Sequence, residues 1–232
     1  AQIKGLPALI VMPADTPLIK QENTKSYGAE VVTYDRATQS REAIAARYVK
    51  ERHAVMVPPF EHADIIAGQG TAGLEILEQA GDLKIDQLLC GTSGGGLMAG
   101  INLVMAERSP ATKVFVVEPE AFDDTARSLA AGERVGHPAG PPSICDALMA
   151  PMPGVLTWPI NRRLAGAVTV SDAEVAEAVR FAFRHLKLVV EPGGAVSLAA
   201  LLAGKVDGAG RTTGLILSGG NVDLPALRWG AP

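Results

Sequence analysis

Short apolar runs alternate with stretches of helical periodicity along most of the chain. The apolar runs have the length of buried strands and fall at residues 8–12, 31–34, 54–57, 88–90, 113–117, 168–170 and 213–217. The stretches between them predict helices at about residues 17–27, 39–52, 74–77, 97–108, 172–185 and 195–202. This alternation of strands and helices is typical of an α/β protein with parallel sheets.

Local signals refine the bounds of several elements. Thr16-Pro17 predicts an N-cap followed by proline at the first helical position, and Ser171-Asp172-Ala173-Glu174 predicts a capping box. The glycine-rich residues 67–71 lead into helical spacing, so we expect close backbone packing there. Residues 132–154 hold many prolines and glycines and predict a long irregular segment, whose length indicates a function.

The stretch from Asp86 to Asn102 runs from an apolar strand through Ser93-Gly94-Gly95-Gly96 into a helix-compatible run. Glycines leave backbone N–H groups uncovered, and a helix N-terminus adds partial positive charge, so the combination suits a phosphate group. The motif has neither the Gly-Lys-Ser/Thr ending of a P-loop nor the G-x-G-x-x-G spacing of a dinucleotide site. The alternative is a tight βα turn that requires a positive φ angle.

Other polar groups also follow predicted strands. Ser218 follows the last strand, and parallel α/β sheets bind ligands at the carboxyl ends of their strands. Its alternative role is that of a turn hydroxyl. Glu191 precedes Pro-Gly-Gly and is either a site residue or a carboxylate at a helix start.

An acidic loop follows the strand at residues 113–117. Glu118, Asp123 and Asp124 supply the hard oxygen ligands that Mg²⁺ or Ca²⁺ prefers, whereas the alternative is a solvated surface loop. The four histidines show no zinc spacing, and no Gly-x-Ser-x-Gly elbow occurs.

Composition excludes several classes of partner. The 232 residues carry a net charge of −4 with scattered cations, which argues against nucleic acid as the main partner. No apolar run approaches the roughly 20 residues that span a bilayer, so we expect no membrane segment and no membrane partner. Two cysteines, Cys90 and Cys145, without C-x-x-C spacing indicate free thiols and a cytoplasmic protein.

Four motifs in this order resemble one family, the fold-type II pyridoxal-phosphate enzymes, and within it the threonine/serine dehydratase and serine racemase group. The motifs are Ile65-Ile66-Ala67-Gly68-Gln69-Gly70-Thr71, Ser93-Gly94-Gly95-Gly96-Leu97, Glu191-Pro192-Gly193-Gly194-Ala195 and Ser218-Gly219-Gly220-Asn221-Val222-Asp223. The resemblance extends from Ala1 to Trp229. It implies a tryptophan-synthase-β-like α/β fold, with residues 1–61 as the remainder of a small substrate-side domain and 62–232 as the large domain that binds pyridoxal 5'-phosphate.

The resemblance also implies roles for individual residues. The backbone N–H groups of Ser93, Gly94, Gly95, Gly96 and Leu97 would hold the cofactor phosphate, Ser218 would hydrogen-bond the pyridine nitrogen, and Glu191 would lie near the cofactor. A hydroxyl at Ser218 cannot protonate the ring as a carboxylate could, which suits β-elimination. The acidic loop resembles a racemase-type cation site for Mg²⁺ (or Mn²⁺ or Ca²⁺), with the side chains of Glu118 and Asp124 and the carbonyl oxygen of Phe122 as ligands.

Several positions depart from the family pattern. Ser93 replaces the first glycine of a four-glycine loop, Asp146-Ala147 replaces an Asp-Gly pair, and Phe60 replaces an asparagine expected near the cofactor. None of the eight lysines has the Ser-Phe-Lys-x-Arg-Gly-like context of the Schiff-base lysine, which belongs upstream of Ala1. We therefore expect an N-terminally incomplete chain that carries no catalytic residue and does not turn over alone.

For the intact enzyme the resemblance implies dehydration of L-serine- or L-threonine-type hydroxy amino acids to a 2-oxo acid and ammonia. Serine racemisation and dehydration of 3-hydroxyaspartate are alternatives on the same site. A non-catalytic regulatory or ligand-binding relative is a further alternative. The resemblance also implies a homodimer.

Overall fold

The computed structural model describes residues 1–138 and 141–223 and divides them into two compact units. One unit comprises Ala1–Val57 and takes up the chain again at Asn221, and the other comprises Pro58–Gly220. The assignment of 1–61 as the substrate-side domain and 62–232 as the cofactor-binding domain stays a prediction. Residues 224–229, the last part of the resemblance, lie outside the described residues.

The smaller unit contains two parallel strands and two helices. They are β1 (Leu9–Pro13), α1 (Leu18–Ser26), β2 (Glu30–Tyr34) and α2 (Arg41–Arg52). The strands pair in parallel, with Leu9 opposite Glu30 and Pro13 opposite Tyr34, which confirms the predicted parallel character.

Two predictions about this unit are wrong. Residues 54–57 form no strand: the Val55 side chain is 88% exposed, and these residues pair with no strand among those described. An apolar run without a hydrogen-bonding neighbour has no ladder to join, and the two prolines that follow remove further donors. The helix cap is also displaced, because α1 begins at Leu18 with Pro17 as the N-cap residue in place of Thr16.

The larger unit contains a four-stranded sheet covered by helices on both faces. Its elements are α3 (Ala63–Ala80), β3 (Gln87–Gly91), α4 (Gly96–Arg108), β4 (Lys113–Pro119), α5 (Asp124–Ala131), α6 (Trp158–Asn161), β5 (Gly166–Val170), α7 (Asp172–Phe181), α8 (Pro192–Leu202) and β6 (Thr213–Leu215). The strand order is β5-β4-β3-β6, and every pairing is parallel.

The central strands β3 and β4 explain why their sequences are almost continuously apolar. Successive side chains of β3 point to opposite faces. Leu88 and Cys90 pack with residues of α4, and Leu89 packs with residues of α7 and α8. Both cysteines are free, as predicted, and both are buried, which raises the pKa of each thiol to about 12. Neither thiol is therefore an activated nucleophile.

Glycines allow α3 and α4 to approach closely. A Cβ atom at Gly100 would overlap the backbone of Gly70 and Ile66, and one at Gly73 would lie 3.1 Å from the Val104 side chain. The predicted close packing at residues 67–71 is confirmed, although these residues lie inside α3 and do not precede a helix.

Other boundaries in the larger unit differ by a few residues from the predictions. The helix α8 begins at Pro192, three residues early, and β6 ends at Leu215, two residues short of the prediction. The capping box at Ser171 and Glu174 is confirmed. Between Gly132 and Gly154 the described residues form only a 3-10 turn, Asp146–Leu148. No helix in the described part of the chain has the length and apolar composition needed to cross a membrane.

Candidate functional site

Two loops leave the same edge of the larger sheet. Gly91 at the end of β3 pairs with Val117 of β4, and both strands run in the same direction. The loop after β3 leads into α4, and residues 92–97, which include the first two residues of α4, are called the glycine loop. The loop after β4 leads through a 3-10 turn, Glu120–Phe122, into α5. The carboxyl edge of a parallel sheet is where ligands bind in open α/β folds.

The glycine loop presents backbone donors that no acceptor among the described residues satisfies. Within residues 1–138 and 141–223, no acceptor pairs with the N–H groups of Ser93 to Leu97. Gly94, Gly95 and Gly96 are all buried, so leaving these donors unpaired would be costly. The first N–H groups of α4 belong to this set, and the helix dipole adds positive potential there. The arrangement fits an anion.

The glycines of this loop are required by geometry. Gly95 has φ +92, so the tight-turn alternative describes this position correctly. A Cβ atom at Gly94 would overlap the ring of Phe60, and one at Gly96 would lie 2.7 Å from the Cβ atom of Phe60. Phe60, which replaces the expected asparagine, therefore lies directly against the loop.

Three hydrogen bonds from residues 150–161 hold other atoms of the loop. The hydroxyl of Ser93 accepts a hydrogen bond from the N–H of Ala150 at 3.0 Å. Thr157 Oγ1 donates to the carbonyl oxygen of Gly94 at 2.7 Å. The amide Nδ2 of Asn161 donates to the carbonyl oxygen of Gly95 at 3.0 Å. Sequence motifs did not reveal Thr157 or Asn161; the only signal was the unexplained length of the irregular segment before them.

Glu191 and the chain beside Ser218 lie together near the same sheet. The N–H of Glu191 donates to the carbonyl oxygen of Gly219 at 2.9 Å, and a Cβ atom at Gly219 would lie 2.7 Å from the Glu191 carboxyl carbon. Glu191 is buried and is the N-cap residue of α8, but its side chain makes no capping hydrogen bond. The predicted alternative, a carboxylate at a helix start, is therefore confirmed for Glu191. Ser218 is exposed.

The acidic loop contains two buried carboxylates. Glu118 is fully buried, and its two oxygens accept the N–H groups of Thr125 and Ala126 at 2.9 and 2.8 Å. Asp124 is 1% exposed, and its Oδ2 atom has no hydrogen-bond partner. Burial raises the pKa of Glu118 to about 7. Burial and the charge of Glu118 raise the pKa of Asp124 to about 8. The solvated-loop alternative is wrong for both residues.

The other members of this loop differ from the pair. Phe122 is nearly buried, and its ring meets that of His137 edge-on with centroids 4.4 Å apart. Asp123 instead pairs with Arg127 at 2.6 Å near the surface. Among the described residues, no lysine, arginine or histidine pairs with Glu118 or Asp124, and no group of three or more His, Cys, Asp or Glu side chains is suited to a metal. A cation here would need backbone or water oxygens as further ligands.

Comparison with known proteins decides the family. Residues 1–219 match the model of the family described as "Pyridoxal-phosphate dependent enzyme". The chain belongs to this family. The unpartnered N–H groups of the glycine loop agree with the phosphate that gives the family its name.

Within this family, the chain is similar in sequence to curated lyases and racemases. The chain is 42% identical to an L-threo-3-hydroxyaspartate ammonia-lyase from Pseudomonas sp over 97% of this chain and 70% of that protein. It is 38% identical to a serine racemase from Oryza sativa subsp. indica over 98% of this chain and 68% of that protein. This family member is therefore similar to pyridoxal-phosphate lyases and racemases that act on small amino acids.

Solved structures confirm the predicted fold-type II α/β fold. The crystal structure of a T.th. threonine deaminase superposes with a TM-score of 0.85 at 41% identity, covering 97% of this chain and 72% of that one. The maize serine racemase structure gives a TM-score of 0.88 at 38% identity, covering 99% of this chain and 70% of that one.

Proposed function

We propose that this chain holds pyridoxal 5'-phosphate by its phosphate at the glycine loop, and that the enzyme it forms eliminates the β-hydroxyl of a hydroxy amino acid. The products are a 2-oxo acid and ammonia. One observation carries the proposal: five consecutive N–H groups, from Ser93 to Leu97, have no acceptor in the described part of the protein at the start of α4. A dianionic phosphate satisfies such donors and is stabilised by the helix dipole.

The cofactor, when bound, supplies the electron-withdrawing ring that makes the substrate Cα–H bond acidic. Ser218 offers a hydroxyl to the pyridine nitrogen, and the Glu191 carboxyl group lies against Gly219, the next residue along the chain. A serine hydroxyl donates a hydrogen bond without transferring its proton to the ring. It therefore favours expulsion of the β-hydroxyl over prolonged storage of negative charge on the ring. The 1–61 segment would form the substrate side of the enzyme.

The similarity to ammonia-lyases supports elimination as the reaction, with L-serine, L-threonine and 3-hydroxyaspartate as candidate substrates. Racemisation of serine is the second candidate. The buried pair Glu118 and Asp124, with its unpaired oxygen, favours that candidate because it fits the racemase-type cation site described above. We propose Mg²⁺ at this pair, with the carbonyl oxygen of Phe122 as a further ligand.

Covalent turnover requires a lysine in the context that no lysine of this chain has. The chain covers about 70% of the curated relatives' length, and we propose that the lysine belongs to the part not covered. A protein with no such lysine would instead be a ligand-binding relative. The expected protein is cytoplasmic and homodimeric and acts on small molecules.

The test is an assay of the full-length protein with each candidate substrate. Formation of a 2-oxo acid and ammonia from L-serine, L-threonine or L-threo-3-hydroxyaspartate is expected, with chiral chromatography reporting D-serine in parallel. Ser218→Ala is expected to lower turnover while retaining the bound cofactor, since the phosphate contacts remain. A full-length protein that binds the cofactor yet releases neither ammonia nor D-serine would contradict the enzyme proposal and favour the ligand-binding relative.

A further inference from the structure

We infer that Thr157 and Asn161 are positioning residues. They orient the phosphate-binding N–H groups of the glycine loop by hydrogen-bonding to the carbonyl oxygens of the same peptide planes. This inference rests on the proposed function, because it assigns how that phosphate site is held in its binding geometry. Neither residue belongs to the four motifs of the resemblance. Both are buried, at 0% and 2% exposure, and both donate side-chain hydrogen bonds to loop carbonyl oxygens.

The planarity of the peptide bond connects the carbonyl oxygens to the donors. In a trans peptide the C=O of one residue and the N–H of the next point in opposite directions. No cis peptide bond occurs in the described chain, so fixing the carbonyl of Gly94 fixes the N–H of Gly95. Fixing the carbonyl of Gly95 fixes the N–H of Gly96 in the same way. Thr157 and Asn161 therefore act on two of the five donors without contacting the ligand.

Both carbonyl oxygens are bonded twice. Gly94 O accepts from Thr157 Oγ1 at 2.7 Å and from the N–H of Gly154 at 3.1 Å. Gly95 O accepts from Asn161 Nδ2 at 3.0 Å and from the N–H of Ala99 at 2.8 Å, the first hydrogen bond of α4. A carbonyl oxygen has two lone pairs, so neither peptide plane can turn without losing a partner. This matters at glycines, whose backbone is otherwise the most free.

The Asn161 amide has only one useful orientation. Its Oδ1 atom is buried without a partner, which is a cost that the other orientation would not remove. Turning the amide over would place Oδ1 against the carbonyl oxygen of Gly95, and two acceptors would then face each other. The orphaned oxygen is consistent with a residue kept for its donor.

The segment that carries the two residues is itself held at both ends. The carboxylate of Glu61 accepts the N–H groups of Val155 and Leu156 at 2.9 and 3.2 Å, just before α6. Asn102 Nδ2 in α4 donates to the carbonyl oxygen of Ile160 at 3.0 Å. Residues 155–161, called the brace, are therefore hydrogen-bonded to α4, whose first turn contributes to the phosphate site.

The first test compares Thr157→Val, which keeps the shape and loses the donor, with Thr157→Ser, which keeps the donor. Thr112→Val is the matched control, because the buried Thr112 donates to the carbonyl oxygen of Ile85 at the same 2.7 Å before β3. The probes are 4-deoxypyridoxine 5'-phosphate, which has no aldehyde and needs no lysine, and 4-deoxypyridoxine without phosphate. Titration calorimetry on the full chain gives the ratio of the two affinities.

Thr157→Val is expected to lower the preference for the phosphorylated probe about fivefold, as loss of one oriented donor predicts. Thr157→Ser should restore this preference to within about twofold of the wild type. Thr112→Val should lower the melting temperature and leave the preference unchanged.

Asn161→Ala is the second variant and should lower the preference by a similar factor, with shifted ¹⁵N–¹H resonances for Gly96. A folded Thr157→Val or Asn161→Ala chain with the wild-type preference overturns the positioning role alone. A wild-type chain without any preference for phosphate overturns the proposed function as well.

Discussion

The loops that follow β3 and β4 leave the sheet at the same edge, but one presents hydrogen-bond donors and the other presents carboxylates. The glycine loop collects five backbone donors from Ser93 to Leu97 that lack acceptors within the described residues. The loop after β4 buries two carboxylates, Glu118 and Asp124, with no cationic side chain of the described chain paired to them. One site is built from backbone and suits an anion, and the other is built from side chains and suits a cation. The difference predicts that steric changes damage the first site and charge changes damage the second.

The largest effect is expected for Gly95→Ala. The new Cβ atom would lie 2.6 Å from Asn161 Nδ2 at a residue with φ +92, so the loop must move away from its brace. We expect affinity for 4-deoxypyridoxine 5'-phosphate, measured by calorimetry, to fall about 100-fold, equivalent to about 3 kcal/mol.

Gly132→Ala is the control for this change. Gly132 also has a positive φ, +76, but a Cβ atom there meets nothing within 4 Å. It should cost about 1 kcal/mol of stability through backbone strain alone and leave the affinity unchanged. Equal losses of affinity in the two variants would show that strain, and not the brace contact, controls the phosphate site.

The acidic pair predicts an unusual pH dependence in chelator. The pKa values of Glu118 and Asp124 are raised to about 7 and about 8, above their usual values near 4. Between the pKa values of the unfolded chain, near 4, and those of the folded chain, the folded chain therefore binds more protons. Its free energy of unfolding falls as pH rises from about 4 to about 8. Urea titrations should show this fall in the wild type and a much smaller one in Asp124→Asn. A rise with pH that is equal in both chains would contradict it.

Bound magnesium should offset the loss of stability that follows when Glu118 and Asp124 ionise. At a concentration about 100 times its Kd, a cation bound only by the folded chain adds about 2.7 kcal/mol. Thermal unfolding should therefore show a higher melting temperature for the wild type in Mg²⁺ than in chelator. Asp124→Ala should lower the melting temperature in Mg²⁺ but not in chelator. Asp123→Ala, which removes a surface ion pair with Arg127, should keep the Mg²⁺ response. An identical shift for Asp124→Ala in both buffers would count against the metal.

The smallest effect is expected for Ser93→Ala. The change leaves the N–H of Ala150 without its acceptor but keeps the N–H of residue 93. We expect about 1 kcal/mol lower stability in urea and an affinity for the phosphorylated probe within about twofold of the wild type. A tenfold loss of affinity would mean that the hydroxyl itself binds the phosphate.

Local rules predicted parts of the fold and of this site. The glycine loop was identified because consecutive glycines between a strand and a helix leave backbone N–H groups uncovered at a helix N-terminus. The capping box at Ser171 followed from residue types alone. Both depend on neighbours within a few positions.

The parts that depend on distant contacts could not be predicted in this way. Thr157 and Asn161 lie 63 and 66 positions beyond the carbonyl groups that they bind. Residues 54–57 have strand-forming composition but no adjacent strand among those described, which periodicity cannot detect. Burial of Glu118 and Asp124 was likewise invisible in an acidic loop sequence that also fits a solvated surface.

The central claim is that the unpartnered N–H groups from Ser93 to Leu97 hold the cofactor phosphate. Its most direct test is the pair of affinities of this chain for 4-deoxypyridoxine 5'-phosphate and for 4-deoxypyridoxine, measured by calorimetry in chelator. We predict that the phosphorylated compound binds at least about 100-fold more tightly, because several charge-assisted hydrogen bonds depend on the phosphate. Equal affinities for the two compounds would contradict the account.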